Sequence, residues 1–215
     1  MILENVRGLS TRGELQGVFS KFEELRIYYE YLEEYLKQYS DKIHEKYKDE
    51  FKKYPNDPNL GGSINYEDWG WVELYPNIHR KSFIITCYSY FEKELFTLCK
   101  NLKESKQYSL DVTNSEGKGI EKVKNYLNEV RYFDISKHNK TKTWPEITNI
   151  RKIRNLIVHN DGILDRLDKD KAIRKYIAGR SDISIKGDEI IIDPDYCRHV
   201  VDTLEKFHTE ICLKE

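Results

Sequence analysis

The sequence of 215 residues has few cysteines and no long apolar run. Each of its four cysteines stands alone in an apolar stretch, whereas zinc sites and dithiol redox motifs need closely spaced cysteines. We therefore expect buried free thiols, at Cys87, Cys99, Cys197 and Cys212. No stretch of about 18 uncharged apolar residues occurs, and the N-terminus lacks a basic region followed by an apolar one. These absences predict a cytoplasmic protein without a membrane partner.

Motifs for metal and nucleotide chemistry are also missing. The histidines are scattered, and no predicted helix carries a His-Glu-x-x-His arrangement or a cluster of carboxylates at ligand spacing. The glycines of Gly61-Gly62 and Gly117-Lys118-Gly119 lack the length and context of a phosphate-binding loop. The sequence therefore predicts no metal, no cofactor and no ATP-driven chemistry.

A large net charge of either sign is absent as well. The chain has 36 basic and 37 acidic residues and a formal net charge of -1, so a nucleic-acid site would have to be a local patch. Charged residues make up 34% of the chain and apolar residues 39%, which is typical of a globular protein rich in helices. Disorder is not expected.

Apolar residues recur at alternating steps of three and four, the pattern of amphipathic helices. It predicts two long helices, over 15–54 and 73–104, that pack against each other, with a loop over 55–63 between them. Further along, the same spacing predicts shorter helices over 120–130, 144–159, 168–178 and 193–207. The alternation over 183–192 predicts a β-hairpin that turns at 186–189.

These elements predict a mainly α-helical protein that forms a single domain over residues 1–215. The two long helices, the short helix after them and the helix over 144–159 are expected to form the core, over about 15–165. The helix over 168–178, the hairpin and the last helix, over about 166–215, are expected to form a C-terminal extension.

The helix over 144–159 places an arginine among apolar side chains. On a helical wheel, Arg154 falls about 20° from Ile147, inside the apolar arc. A guanidinium there is expected to be partly buried and to need a carboxylate, a bound anion or a partner chain, because an unpaired charge out of water costs several kcal/mol. Glu92 lies among apolar residues on the second long helix, so a structural Arg154–Glu92 pair is one explanation.

A histidine in the last turn of this helix lies on a different side. His159 is about 140° around the helix from Arg154, so the two side chains do not converge in a straight helix. Convergence requires unwinding or a second copy of the chain. A histidine near a helix C-terminus also interacts favourably with the helix dipole, which is its alternative, structural role. Arg151 and Asn155 lie between the two on the wheel and complete a polar edge.

Arg154, Asn155 and His159 resemble the motif of the HEPN superfamily of ribonucleases, in which an Arg, usually followed by a polar residue, precedes a His by a few residues. The helices over about 15–165 also resemble that family's architecture. The resemblance implies a HEPN-like four-helix bundle with long antiparallel helices, which dimerises so that both motifs line one cleft. Some members carry an adenylated Tyr two residues after the His. Here that position is Asp161, so such control is not implied.

The resemblance further implies a metal-independent endoribonuclease that cleaves RNA by attack of the 2′-hydroxyl, leaving a 2′,3′-cyclic phosphate and a 5′-hydroxyl. Arg154, His159 and Asn155 would be catalytic, with Glu92 and Arg151 in support. The chemistry suits these residue types. A histidine with a pKa of about 6.5 exchanges protons near neutral pH, and an arginine holds two phosphate oxygens at once.

Local charge favours RNA binding beside the motif. Residues 137–154 carry six basic side chains against one acidic side chain, a net charge of +5. We expect RNA to bind there through Lys140, Lys142 and Lys152. An ordinary solvated loop explains the lysines at 137–142 equally well.

Three functions remain open at this point. The first is a homodimeric endoribonuclease acting as a toxin or antiviral defence effector, with a cognate antitoxin or sensor protein as a further partner. The second is a non-catalytic HEPN-like module for dimerisation or partner binding. The third is a helical scaffold that uses the heptads from Leu15 to Ile43 as a coiled coil, which leaves the motif unexplained.

Overall fold

The computed structural model of the chain describes residues 11–53, 65–133, 135, 143–165 and 170–213. As predicted, it is mainly helical, with one small antiparallel hairpin. The α-helices are α1 (Thr11–Lys46), α2 (Lys48–Lys53), α3 (Tyr66–Trp69), α4 (Tyr75–Lys106), α5 (Ile120–Glu129), α6 (Thr143–Asn160), α7 (Lys171–Ala178) and α8 (Pro194–Cys212), and the strands are β1 (Ile183–Lys186) and β2 (Glu189–Ile192).

The first long helix is interrupted by a turn that the sequence did not predict. α1 ends at Lys46, Tyr47 forms the turn, and α2 follows at once. Asp68, which belongs to the next segment, contacts the chain at this break. Its carboxylate accepts hydrogen bonds from the Lys46 ammonium (2.6 Å) and the Tyr47 hydroxyl (2.9 Å). The loop predicted over 55–63 lies outside the described residues.

The second long helix, α4, begins at Tyr75, two residues after its predicted start at Glu73, and helical turns that were not predicted precede it. The Asn65 side chain caps α3 by accepting a hydrogen bond from the Asp68 amide (2.8 Å), and a π-helical segment, Gly70–Leu74, joins α3 to α4. A π-turn inserts extra backbone and shifts the helical register. The three-four spacing therefore becomes recognisable only after this segment, so the sequence did not predict the helical turns before it.

α4 is the central helix of the bundle. It packs against α1, α5, α6 and α8, and its buried stripe includes Ile84, Phe91 and Leu95. The predicted contact between the two long helices is confirmed. The last helix, predicted within an extension, also belongs to this packing: α8 lies against α4, α1 and α6, and its Leu204 and Phe207 are fully buried. The hydrophobic core thus continues past residue 165.

A buried ion pair joins α1 to α4. Arg80 donates to both carboxylate oxygens of Glu33, at 2.8 and 2.9 Å, and also to the carbonyl oxygen of Ile192 at 2.9 Å. Glu33 is only 8% exposed. The pair is therefore largely removed from water, and the loss of either partner would leave a buried charge.

The β-hairpin docks on the N-terminal half of α4. β1 and β2 pair in the predicted register around the two-residue turn Gly187-Asp188, where Gly187 has a φ of 66°. The buried amide of Asn77 donates to the carbonyl oxygen of Ile190 and accepts from the amide of Ile192, both at 3.2 Å. These bonds fix the hairpin beside the start of α4.

The thiols follow the prediction in most cases. All four cysteines are free, and those of α4 and the start of α8, Cys87, Cys99 and Cys197, are buried. Burial raises the pKa of the Cys99 and Cys197 thiols to about 12. The fourth, Cys212, is half-buried rather than buried, because it lies in the last turn of α8.

Candidate functional site

The motif lies in the last two turns of a regular helix. α6 runs without interruption to Asn160 and then ends at two residues with positive φ, Asp161 (52°) and Gly162 (81°). The Asp161 carbonyl oxygen accepts a hydrogen bond from the Lys81 ammonium of α4 (2.7 Å). A Cβ at position 162 would lie 2.9 Å from a Lys81 side-chain carbon, so glycine permits this close approach. The end of the motif helix is therefore fixed to α4.

Arg154 is half-buried, as its place on the wheel predicts. Its Nη1 donates to the side-chain oxygen of Asn155 (3.0 Å), and its guanidinium carbon lies 5.7 Å from the centre of the Tyr88 ring. Its Nε is buried without a hydrogen-bond partner. Among the described residues no carboxylate pairs with Arg154. The suggested Arg154–Glu92 ion pair is therefore not formed in the structure.

Tyr88 marks the centre of a charged cluster at the junction of α4, α5 and α6. The residue is 1% exposed, and its hydroxyl has no hydrogen-bond partner among the described residues. Burial and the carboxylate of Glu92 raise the pKa of Tyr88, whereas the nearby charges of Arg151 and Arg154 oppose the rise. The charges of Arg151, Arg154 and Glu92 thus all act on one buried hydroxyl. We call these four residues the Tyr88 cluster.

The two predicted supporting residues of this cluster behave differently. Arg151 donates to the carboxylate of Glu121 on α5 (3.2 Å), so its charge is already paired. Glu92 instead lies against the start of α5, where its carboxylate would collide with a Cβ at Gly119. Gly119 also has a φ of 56°, which favours glycine. The absence of a side chain at this position lets α5 begin directly beside the Glu92 carboxylate.

His159 faces solvent near the end of α6. Its side chain is exposed, and within the part of the chain that the structure describes it makes no hydrogen bond or ion pair. Because α6 is a regular helix, His159 and Arg154 are about 140° apart and do not meet in one chain. Two apolar neighbours are exposed beside it, Val158 (43%) and Ile163 (52%). The chain therefore presents a histidine within a partly apolar surface.

The predicted RNA-binding lysines are only partly accounted for. Lys152 is half-buried, and its ammonium donates to the side-chain oxygen of Asn149 (3.4 Å). Lys140 and Lys142 lie outside the described residues. Their predicted role in RNA binding therefore stays a prediction.

A polar network at the start of α6 was not foreseen from the sequence. One carboxylate oxygen of Glu146 accepts hydrogen bonds from the Tyr176 hydroxyl (2.5 Å) and from Arg180 (3.0 Å), and lies 2.7 Å from the ring of His199. Burial favours the neutral form of Glu146, but the hydrogen bonds from His199 and Tyr176 outweigh it and lower its pKa. Arg180 also pairs with Asp182. The network ties the motif helix to α7 and α8.

Comparison with models of protein families, with curated proteins and with solved structures finds no significant match. No helix in the described ranges combines the length and apolar character needed to cross a membrane. The same residues contain no group of three or more His, Cys, Asp or Glu side chains placed to hold a metal ion. The function must therefore be inferred from the geometry around Arg154 and His159.

Replacing Arg154 with methionine tests whether this arginine is structural. Because the loss of Arg154 leaves no carboxylate partner unpaired among the described residues, we expect the free energy of unfolding to rise or to fall by no more than about 1 kcal/mol. The matched control is Arg80→Met, which leaves the buried Glu33 unpaired and is expected to cost about 3–5 kcal/mol. Urea unfolding followed by circular dichroism measures both. Equal losses of stability in the two variants would contradict the expectation.

Proposed function

We propose that this chain is a HEPN-like, metal-independent endoribonuclease whose active site forms between two copies. The observation that carries the proposal is Arg154, a half-buried cation that no carboxylate of the described residues neutralises, one turn before an exposed histidine. A buried charge without a partner costs several kcal/mol, so it is kept where it binds an anion. A phosphate of RNA supplies that anion.

The reaction needs one proton acceptor, one proton donor and a group that binds phosphate. One His159 removes the proton of the 2′-hydroxyl, the 2′-oxygen attacks the adjacent phosphorus, and the bond from phosphorus to the 5′-oxygen breaks. A protonated histidine from the second copy gives its proton to the departing 5′-oxygen. Arg154 holds the phosphate oxygens as negative charge accumulates, and Asn155 orients Arg154 through their hydrogen bond. The products are a 2′,3′-cyclic phosphate and a 5′-hydroxyl.

A second copy of the chain would supply two things that this mechanism needs. It supplies a second histidine, and it brings a His159 close to an Arg154, which the helical spacing prevents within one chain. Val158 and Ile163, both exposed beside His159, provide apolar surface for such a contact. We further propose a biological role as a toxin or antiviral defence effector, restrained by an antitoxin or activated by a sensor protein.

A non-catalytic dimerisation or partner-binding module is the second candidate function. The same two apolar side chains would contribute to it, because a partner that covers them removes apolar surface from water. In that case Arg154 would meet a carboxylate of the partner rather than a phosphate. The two functions differ in whether RNA is cut.

Incubation with labelled single-stranded RNA and with tRNA in EDTA tests the proposal. We expect cleavage without metal, with cyclic phosphate ends identified by their resistance to phosphatase until acid opens the ring. Arg154→Met is the matched variant, because it removes the phosphate-binding group from a protein that is expected to stay folded. Intact RNA after incubation with a dimeric wild-type protein would favour the binding module. Cleavage that stops in EDTA would contradict the mechanism.

A further inference from the structure

A shallow groove of about 550 Å³ runs along the outer side of α4. Its lining includes Ser89, Glu92, Lys93, Phe96 and Lys100 of α4 and Gly119 at the start of α5. The cleavage mechanism proposed above assigns no role to this surface. The groove nevertheless begins where the Tyr88 cluster ends.

The groove lies next to the proposed phosphate-binding site. Glu92 lines the groove and lies one helical turn from Tyr88, whose ring centre is 5.7 Å from the Arg154 guanidinium carbon. From Ser89 to Lys100 the axis of α4 rises about 16 Å. A chain of nucleotides with one phosphate at Arg154 would therefore have a path along α4.

The charges along this path favour phosphate. Lys93 and Lys100 are exposed, and in the described part of the chain neither forms an ion pair. Lys118, next to Gly119 at the rim, is also exposed. The lining carries one acidic residue, Glu92, against the two lysines Lys93 and Lys100. The groove is thus positive away from the site, as a polyanion requires.

Aromatic surface lies between the two lysines. Phe96 is half-buried and lines the groove within about one turn of Lys93 and Lys100. Proteins that bind single strands combine a positive groove with aromatic side chains on which unpaired bases stack. A base in a duplex is already stacked and paired, so this combination of features selects single strands.

We propose that the groove binds the single RNA strand on one side of the phosphate that is cut. Lys93 and Lys100 contact its phosphates, and Phe96 stacks against a base. This assignment rests on the proposed function, because it places the strand by its phosphate at Arg154. It adds a substrate class, single-stranded RNA, and a second binding surface separate from the lysines of residues 137–142.

Binding measurements on a protein that does not cut RNA test the assignment. In a His159→Ala background, fluorescence anisotropy gives the Kd of a labelled single-stranded RNA for Lys93→Gln, Lys100→Gln and the control Lys206→Gln, an exposed lysine of α8. We expect each groove variant to weaken binding severalfold. The slope of log K against log salt should fall by about 0.7 for each phosphate that is no longer neutralised by a lysine. The control should leave both quantities unchanged.

Several results would overturn the assignment. If the groove variants bind RNA as tightly as Lys206→Gln does, the two lysines are not part of the RNA-binding surface. If duplex RNA competes as well as a single strand, the groove does not select single strands. If neither single-stranded nor duplex RNA competes for the groove while an acidic peptide binds there, the ligand of the groove would be a protein instead. Failure of the proposed function gives a different result from failure of the groove assignment. If the groove lysines contribute to RNA binding but the wild-type protein never cuts RNA, the groove still binds RNA and the catalytic proposal is wrong.

Discussion

Replacing His159 with alanine is expected to slow RNA cleavage about 10²- to 10⁴-fold, because proton transfer by a positioned side chain contributes about that much to such reactions. The fold should not change. His159 is exposed and makes no hydrogen bond in the described part of the chain, and surface substitutions of this kind shift the free energy of unfolding by about 0.5 kcal/mol or less. Initial rates on labelled RNA and urea unfolding curves measure the two quantities.

Two controls make the result specific. His44→Ala removes an exposed histidine from α1 and should leave the cleavage rate unchanged. Sedimentation of the His159→Ala protein should show the same assembly as the wild type, since a protein that no longer dimerises would also lack the composite site. A variant that cuts RNA normally but unfolds more easily would assign His159 to the helix terminus instead.

The periodic part of the fold is readable from the sequence because it depends on local spacing. The steps of three and four predicted α4, α5 and α6 within a few residues, and the alternation of Ile183 to Ile192 predicted the hairpin and its turn. The turn at Tyr47 was missed because the apolar spacing gives no signal for it, and the carboxylate that bonds the Tyr47 hydroxyl, Asp68, belongs to another segment. A helical pattern has no signal for a tether that comes from another segment.

The place of α8 shows a second limit of the sequence. Its apolar face predicts a helix, but nothing in the spacing tells which helices that face will cover. In the structure it covers α4, α1 and α6 at once. Sequence order places it last, whereas packing places its apolar face in the core of the bundle. The boundary predicted near residue 165 therefore separates segments that share one core.

The same distinction applies to the site. The wheel placed Arg154 among apolar side chains and correctly predicted its partial burial, because the direction of a side chain follows from the helix alone. The wheel did not identify which residue contacts the Arg154 guanidinium, because the distance from Arg154 to Glu92 depends on how α4, α5 and α6 pack. The Glu146 network was missed for the same reason: its acceptor and His199 are 53 positions apart in the chain. Pairing across elements has no local signature.

Phe207→Ala tests the packing of α8 and is expected to cost about 3–5 kcal/mol of unfolding free energy, the usual range for a buried phenylalanine. Phe207 is fully buried, and its ring lies 5.5 Å from the centre of the Trp144 ring and 6.1 Å from those of Phe91 and Phe133. Removal of the ring opens a cavity where α4, α6 and α8 meet, and these helices cannot all close around it. Urea unfolding measures the change in stability.

Tyr31→Ala is the matched control, because Tyr31 is an aromatic residue of α1 that is 75% exposed and should change the unfolding free energy by about 0.5 kcal/mol or less. The shape of the Phe207→Ala transition decides between two architectures. If α8 is part of the core, the variant unfolds in one transition at lower urea, because loss of α8 exposes the inner faces of α4 and α6 together. A separate early transition, followed by a main one at the wild-type midpoint, would show that α8 is an extension after all.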